Sequence, residues 1–185
     1  MQTITLNRIE ALDPKRHNRE GFRCGIEQLD VYLREKARKE APELSLTFVL
    51  TYVEEPGEII GYYSLSSTKL EADNLPERFK KKIGQYGAVP ATLLGRLATA
   101  QKFQRHQELR VGEKLIVDAM FRTYRASRDV ASFGLIVDVL KSDGSDPTGF
   151  YSKYGFIECR ETENRMYLPM GTIERILMRA GLVPG

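Results

Sequence analysis

Apolar residues recur along the chain at two periods, and the alternation between the two orders its elements. Ile26, Leu29, Tyr32, Leu33 and Ala37 recur at three- and four-residue spacing, which predicts a helix over 25–39. Residues 46–53 (Leu-Thr-Phe-Val-Leu-Thr-Tyr-Val) are rich in β-branched and aromatic side chains. The same character resumes over 58–68 after Glu54-Glu55-Pro56-Gly57, so the two segments predict a hairpin. Met1-Gln2-Thr3-Ile4-Thr5-Leu6 reads as a further strand. Residues 75–83 read as a short basic helix or loop, broken by Gly84, Gly87 and Pro90. An apolar run over 91–98 predicts a buried strand. Over 111–126, Leu115, Ile116, Ala119, Met120 and Tyr124 share one side of a long helix, and a second buried strand follows over 132–140. Pro147 suits the first turn of a short helix over 146–154. Segments 156–159 and 165–168 predict a final hairpin, and 172–180 a C-terminal helix.

Two apolar runs flanking one helix make a strand–helix–strand unit, whose strands run parallel with a right-handed crossover. With the hairpins around it, this predicts an α/β fold: a mixed, mostly antiparallel sheet with a central parallel strand pair, flanked by helices. A chain of 185 residues fits a single domain, 1–185, with a core large enough to fold alone. Ligands of such sheets sit at the carboxyl ends of the strands.

Composition adds exclusions. The chain is 42% apolar and 29% charged, as soluble globular proteins are. No run of about 18 apolar residues predicts a membrane span. The N-terminus lacks the basic and apolar regions of a signal peptide. Cys24 and Cys159 lie far apart with no metal-ligand spacing, so a reduced, cytoplasmic chain without a bound metal is expected. A net charge of +3 is too small to indicate nucleic-acid binding. Local clusters are more suggestive: Lys80-Lys81-Lys82, the stretch 102–110, and Arg122, Arg125 and Arg128. They read either as solvated faces or as surfaces for an anion, cofactor phosphate or RNA.

Two segments carry the chemistry. In the first, strand 91–98 leads through a polar loop to a helix opening at Val111-Gly112. Free N–H groups and the helix dipole favour phosphate there, and Gly112 lets a ligand approach the backbone. A glycine opening a helix serves packing just as well. The second is Phe150-Tyr151-Ser152-Lys153-Tyr154-Gly155-Phe156, a helix end, a glycine turn and a new strand. On its own, Tyr151 reads as a packing residue with its hydroxyl satisfied at the core edge.

Taken in order, Gly95-Arg96-Leu97-Ala98, a loop ending in Gly112-Glu113-x-Leu115-Ile116-x-Asp118-Ala119, a strand ending in Val137-Asp138, and Phe150-Tyr151-x-x-Tyr154-Gly155-Phe156 resemble a GCN5-related N-acetyltransferase (GNAT). More narrowly, the chain is similar to the GNAT toxins of type II toxin–antitoxin modules. Phe22-Arg23-Cys24-Gly25 with Leu29 and Tyr32-Leu33 resembles their opening. Ile60-Gly61-Tyr62-Tyr63-Ser64-Leu65 resembles their central strand, and Tyr167-Leu168-Pro169-Met170 their ending.

The resemblance implies a single-domain GNAT fold and acetyl-CoA as acetyl donor. The backbone of Leu97, Ala98 and Thr99 would pair with the pantetheine arm like an added strand. Gln107, Leu109, Arg110, Val111, Gly112 and Glu113 would hold the pyrophosphate. Tyr151 would donate a proton to the leaving thiolate. One departure stands out. The family's loop reads Gln/Arg-x-x-Gly-x-Gly/Ala, and Gln107-Glu108-Leu109-Arg110-Val111-Gly112 puts Arg110 where the first glycine is expected. The loop is also longer than usual, so Gln104 competes with Gln107. Arg110 either adds a charge-assisted contact or crowds the backbone.

The function implied is acetylation of the α-amino group of aminoacyl-tRNA, which blocks translation. A small ribbon–helix–helix antitoxin would neutralise the toxin, which would itself be a homodimer. The alternatives are acetylation of a small-molecule or protein amine, or a non-catalytic GNAT-shaped binding module with a drifted loop. Neither Asp138 nor His106 makes a convincing base. An α-amino group with an ordinary pKa of roughly 8 needs little help. Tyr154 reads as structural, and Cys24 as small, buried and unactivated.

Overall fold

The computed structural model of the chain describes residues 4–142 and 144–184. Its strands are β1 (Glu10–Ala11), β2 (Leu46–Leu50), β3 (Gly61–Glu71), β4 (Ala88–Thr99), β5 (Gly134–Asp138), β6 (Ile157–Glu158) and β7 (Arg165–Pro169). They follow the order β1-β2-β3-β4-β5-β7-β6 in one seven-stranded sheet. β4 and β5 are parallel, with Leu93 opposite Ile136. The pairs β1–β2, β2–β3, β5–β7 and β6–β7 are antiparallel. This is the expected mixed sheet, with the parallel pair formed by the two apolar runs. The chain forms two compact units. The first comprises residues up to Ser66 with Gly95–Ala119; the second comprises Ser67–Leu94 and the chain from Met120 onward.

In the first unit the β2–β3 hairpin buries Val49, Leu50, Tyr62 and Tyr63, and the Phe48 and Tyr63 rings stack 5.2 Å apart. The expected helix over 25–39 runs from Glu27 to Glu40 as α1 (Glu27–Val31), a wider π-type turn (Tyr32–Lys36) and α2 (Ala37–Glu40). Its apolar stripe, Leu29, Tyr32, Leu33 and Ala37, is buried as the periodicity requires. Tyr32 stacks on Tyr62 at 6.2 Å, and Phe22 meets Tyr62 edge-on at 5.3 Å.

The strand expected over 1–6 is displaced. Met1, Gln2 and Thr3 lie outside the described residues, and Leu6 makes a single bridge to Tyr52 before pairing resumes as Glu10 opposite Val49. Four residues on one side therefore span three on the other. That mismatch is the signature of a bulge, and it leaves β1 only two residues long.

In the second unit, Leu70, Leu75, Val89, Ala91, Ile136 and Tyr167 form a core against which Phe79 and Ile83 pack. Those two side chains belong to α3 (Glu77–Ile83), so the basic segment left open by the sequence is a helix. The chain also forms α4 (Gln101–Gln104), α5 (Val111–Ala126), α6 (Thr148–Lys153) and α7 (Met170–Arg179). α7 starts where β7 ends and buries Ile173 and Leu177. Among the described residues no helix is long and apolar enough to cross a membrane.

The β5–β7 pair is close enough that a Cβ on Gly134 would lie 2.0 Å from the Leu168 carbonyl oxygen. A side chain there must push the two strands apart. Gly134→Ala is expected to lower unfolding free energy in urea by about 1–3 kcal/mol or more. Gly149→Ala is the control. It sits in α6 with open space around it, and it should raise stability by about 0.5–1 kcal/mol.

Candidate active site

Four hydrogen bonds fix the backbone where β4 ends. Ala100 N donates to Ile60 O at 2.9 Å, Gln101 N to Arg23 O at 2.8 Å, and Gln104 Nε2 to both Cys24 O (2.8 Å) and Thr99 O (2.9 Å). The Phe22-Arg23-Cys24-Gly25 opening is therefore a latch, with two successive carbonyls accepting from α4. Gly25 has φ +93°, a left-handed backbone that strains any other side chain, so the latch favours glycine. Cys24 N donates to the buried Asp30 carboxylate at 2.8 Å. Burial, reinforced by Asp30, pushes the Cys24 thiol up to about 12. It stays protonated and is no nucleophile.

The two glutamines differ in their surroundings. Gln104 is engaged in the latch, whereas Gln107 is exposed in the loop, where its backbone N donates to Arg105 O at 3.1 Å. Leu109 N donates to His106 O at 3.1 Å, and Leu109 O accepts from Lys114 Nζ at 2.9 Å.

Arg110 then turns the chain into α5 with φ +46°. This is the left-handed region, which costs a non-glycine residue roughly 1–2 kcal/mol. The position where the family pattern expects glycine thus keeps a glycine-like backbone. The Arg110 side chain does not crowd the turn; it pairs with Glu113 in the first helical turn. The first helical bond is Lys114 N to Arg110 O at 3.0 Å. Val111 and Gly112 therefore present N–H groups with no intrahelical acceptor, at the positive end of a 16-residue helix.

The start of α5 is packed tightly. A Cβ on Gly61 would lie 2.8 Å from Val111, 2.9 Å from Leu115 and 3.2 Å from Ala98 O. One turn further on, Tyr63 Oη donates to Asp118 Oδ2 at 2.5 Å. Gly61 therefore brings the end of β4, which carries Leu97, Ala98 and Thr99, close to the opening of α5. Ala98 is buried, while Leu97 and Thr99 are half-buried. The sequence reading assigned no role to Arg96. Its guanidinium lies 3.6 Å from the centre of the buried Tyr32 ring, a cation–π contact tying β4 to the N-terminal helical segment.

Tyr151 belongs to the second unit. Asp146 Oδ1 accepts from Thr148 N (2.9 Å) and Thr148 Oγ1 (2.5 Å), which starts α6. Pro147 stands just ahead of the helix rather than inside its first turn. Gly155, at φ +88°, turns the chain so that Phe156 N donates to Tyr151 O at 3.2 Å. The Tyr151 ring lies edge-on to Phe150 (5.2 Å) and Phe156 (5.5 Å) and is only 6% exposed. Burial alone pushes its phenol up to about 12, so at neutral pH it carries its proton.

Tyr154 is half-buried, its ring 5.1 Å from Phe150. Neither weighed base is poised. Asp138 is held by Arg165 through bonds of 2.6 and 2.8 Å, and His106 is exposed with its ring 5.9 Å from Phe103.

Two outcomes follow from this geometry. Arg110→Gly relieves the left-handed strain and Arg110→Ala keeps it, while both remove the guanidinium. Arg110→Ala is expected to be about 1 kcal/mol less stable than Arg110→Gly in urea unfolding. For Tyr151, the folded pKa of about 12 lies above the ordinary value of 10.0. Between those values the unfolded chain releases a proton that the folded chain retains. The contribution is therefore complete below pH 10 and lost as pH rises toward 12. Measured against Tyr151→Phe over that window, wild-type stability should fall by about 1.4 kcal/mol per pH unit.

No protein-family model matches the chain. Individual proteins do. The chain is 29% identical to the probable toxin TacT of Sinorhizobium fredii (strain NBRC 101917 / NGR234), over 91% of this chain and 94% of that protein. Its fold superposes on a tyrosine-to-phenylalanine variant of KacT with a TM-score of 0.81 at 28% identity, covering 93% of this chain and 99% of KacT. AtaT complexed with acetyl-methionyl-tRNAfMet gives a TM-score of 0.80 at 28% identity, with 93% and 99% covered. A tyrosine-to-phenylalanine variant of AtaT bound to the C-terminus of the antitoxin AtaR and acetyl-CoA gives 0.73 at 26% identity, with 93% and 98% covered. In sequence and in fold, the chain is similar to the GNAT toxins of type II toxin–antitoxin modules.

Proposed function

We propose that residues 1–185 act as one N-acetyltransferase domain that moves an acetyl group from acetyl-CoA to the α-amino group of an aminoacyl-tRNA, and that an antitoxin of the ribbon–helix–helix type restrains it. The similarity to TacT and to AtaT, solved with acetyl-methionyl-tRNA, with acetyl-CoA and with an antitoxin segment, supports this reading. The observation that carries it is the left-handed backbone of Arg110 at the mouth of α5. Strained left-handed turns on non-glycine residues cluster at ligand clamps, and this one stands at a helix start whose N–H groups suit phosphate. The same observation weighs against a binding module with a drifted loop.

Acetyl-CoA supplies an activated thioester whose sulfur must gain a proton when the C–S bond breaks. The chain's own groups suit that need. The N–H groups of Val111 and Gly112 offer donors for phosphate oxygens at a helix start held rigid by Gly61 and the Tyr63–Asp118 bond. The backbone of Leu97, Ala98 and Thr99 offers strand-like pairing for the amides of the pantetheine arm. Tyr151 Oη holds its proton across the neutral range and is the donor to the departing sulfur. The amine, with an ordinary pKa of roughly 8, loses its proton to water, which accords with the Arg165-bound state of Asp138.

Acetyl-CoA should raise the melting temperature of the wild-type protein and of Tyr151→Phe alike, because a ligand of the folded state stabilises it by mass action. Single-turnover acetylation of bulk aminoacyl-tRNA by Tyr151→Phe should be slower by about 10²–10⁴-fold, and Tyr154→Phe should retain most activity. A wild-type rate in Tyr151→Phe would remove the phenol from the chemistry. No thermal shift at millimolar acetyl-CoA would remove the cofactor.

A further inference from the structure

Helix α3 and the turn after it form a surface that the acetyl transfer leaves unused. Of the three successive lysines, Lys80 is tied to Asp73 (3.5 Å) and Glu77 (3.3 Å). Lys81 and Lys82 are exposed and make no ion pair among the described residues. Gly84, at φ +60°, ends the helix, and the following turn carries Tyr86, a large aromatic side chain left 71% exposed. Tyr86 lines a cleft with Phe79, Ile83, Pro90 and Phe133, and Lys82 also borders it. No carboxylate lines this cleft among the described residues. The Arg78 guanidinium lies 4.9 Å from the centre of the Phe79 ring, adding a further cation to α3.

An apolar, aromatic floor bordered by Lys82, with the exposed Lys81 next to it in the helix and no carboxylate among the lining residues, suits a ligand that is flat, π-bearing and anionic. A nucleotide has all three properties, since every base has a face to stack and every link carries a phosphate. We infer that this cleft binds an unpaired nucleotide of the RNA substrate, with Tyr86 stacking on the base and Lys81 and Lys82 meeting the flanking phosphates. The inference rests on the proposed RNA substrate and adds the surface that holds it.

The test measures binding of bulk aminoacyl-tRNA across a salt series for wild type, Lys81→Gln/Lys82→Gln, Tyr86→Ala and Tyr86→Phe. Melting temperature and sedimentation of each protein are recorded alongside. The double lysine variant should weaken binding and reduce the slope of log affinity against log salt by about 0.7–0.9 for each lysine. Tyr86→Ala should weaken binding by roughly 5- to 100-fold, and Tyr86→Phe, which keeps the ring, should match wild type. On a blunt RNA duplex of similar length, the lysine effect should persist and the Tyr86 effect vanish. Wild-type affinity and salt slope in every variant would overturn the inference while wild-type acetylation of the same tRNA left the proposed function standing. A wild-type protein that neither binds nor acetylates the tRNA would overturn both. Variants that change sedimentation but not RNA binding would assign the cleft to a second copy of the chain and overturn the inference.

Discussion

The contact between Gly61 on β3 and the first turn of α5 is the constraint on which the junction of β4 and α5, the proposed acetyl-CoA site, depends. At this point the strand has no side chain because Val111, Leu115 and the Ala98 carbonyl already occupy its space. Closing that gap lets Leu115 and Ile116 be fully buried and brings Tyr63 Oη within 2.5 Å of Asp118. A short hydrogen bond to a carboxylate is among the stronger polar contacts a protein makes. Together these contacts hold the helix opening beside the end of β4, so the loop between them has to finish in a sharp turn. That requirement falls on Arg110. The ion pair with Glu113 also places a cation and an anion side by side where the helix begins, so the exposed guanidinium adds little net charge to that end.

Different physics governs the second unit. Burial sets the proton affinity of Tyr151, with the rings of Phe150 and Phe156 packed around it. Desolvation disfavours the phenolate, and that is the state an acid must avoid until it acts. The same unit commits its most conspicuous carboxylate elsewhere. Asp138 sits opposite Arg165 in the β5–β7 ladder and accepts from its Nε and Nη2, as a cross-strand ion pair would. A chemical role for Tyr151 without a protein base is consistent with this division: one group is shielded from water to keep its proton, and the other is tied down as part of the sheet.

The sequence by itself determined the elements whose signal is local. Helix α5 occupies 111–126, as the spacing of Leu115, Ile116, Ala119 and Met120 predicts. The β2–β3 hairpin, the parallel pair from two apolar runs and the helix around Tyr151 follow from periodicity, turn residues and the right-handed crossover. What only the tertiary structure decided depends on partners far away in the chain. Gln104 looked like a loop residue until Cys24, 80 positions earlier, supplied its acceptor. Arg96 acquired its contact from Tyr32, and Asp138 its partner from Arg165, 27 positions later. The bulge that shortened β1 exists only in register with β2. Nor could the residue type at 110 reveal the backbone there. Arginine prefers the right-handed region, and only the packing of α5 against Gly61 supplies the free energy that holds it in the left-handed one.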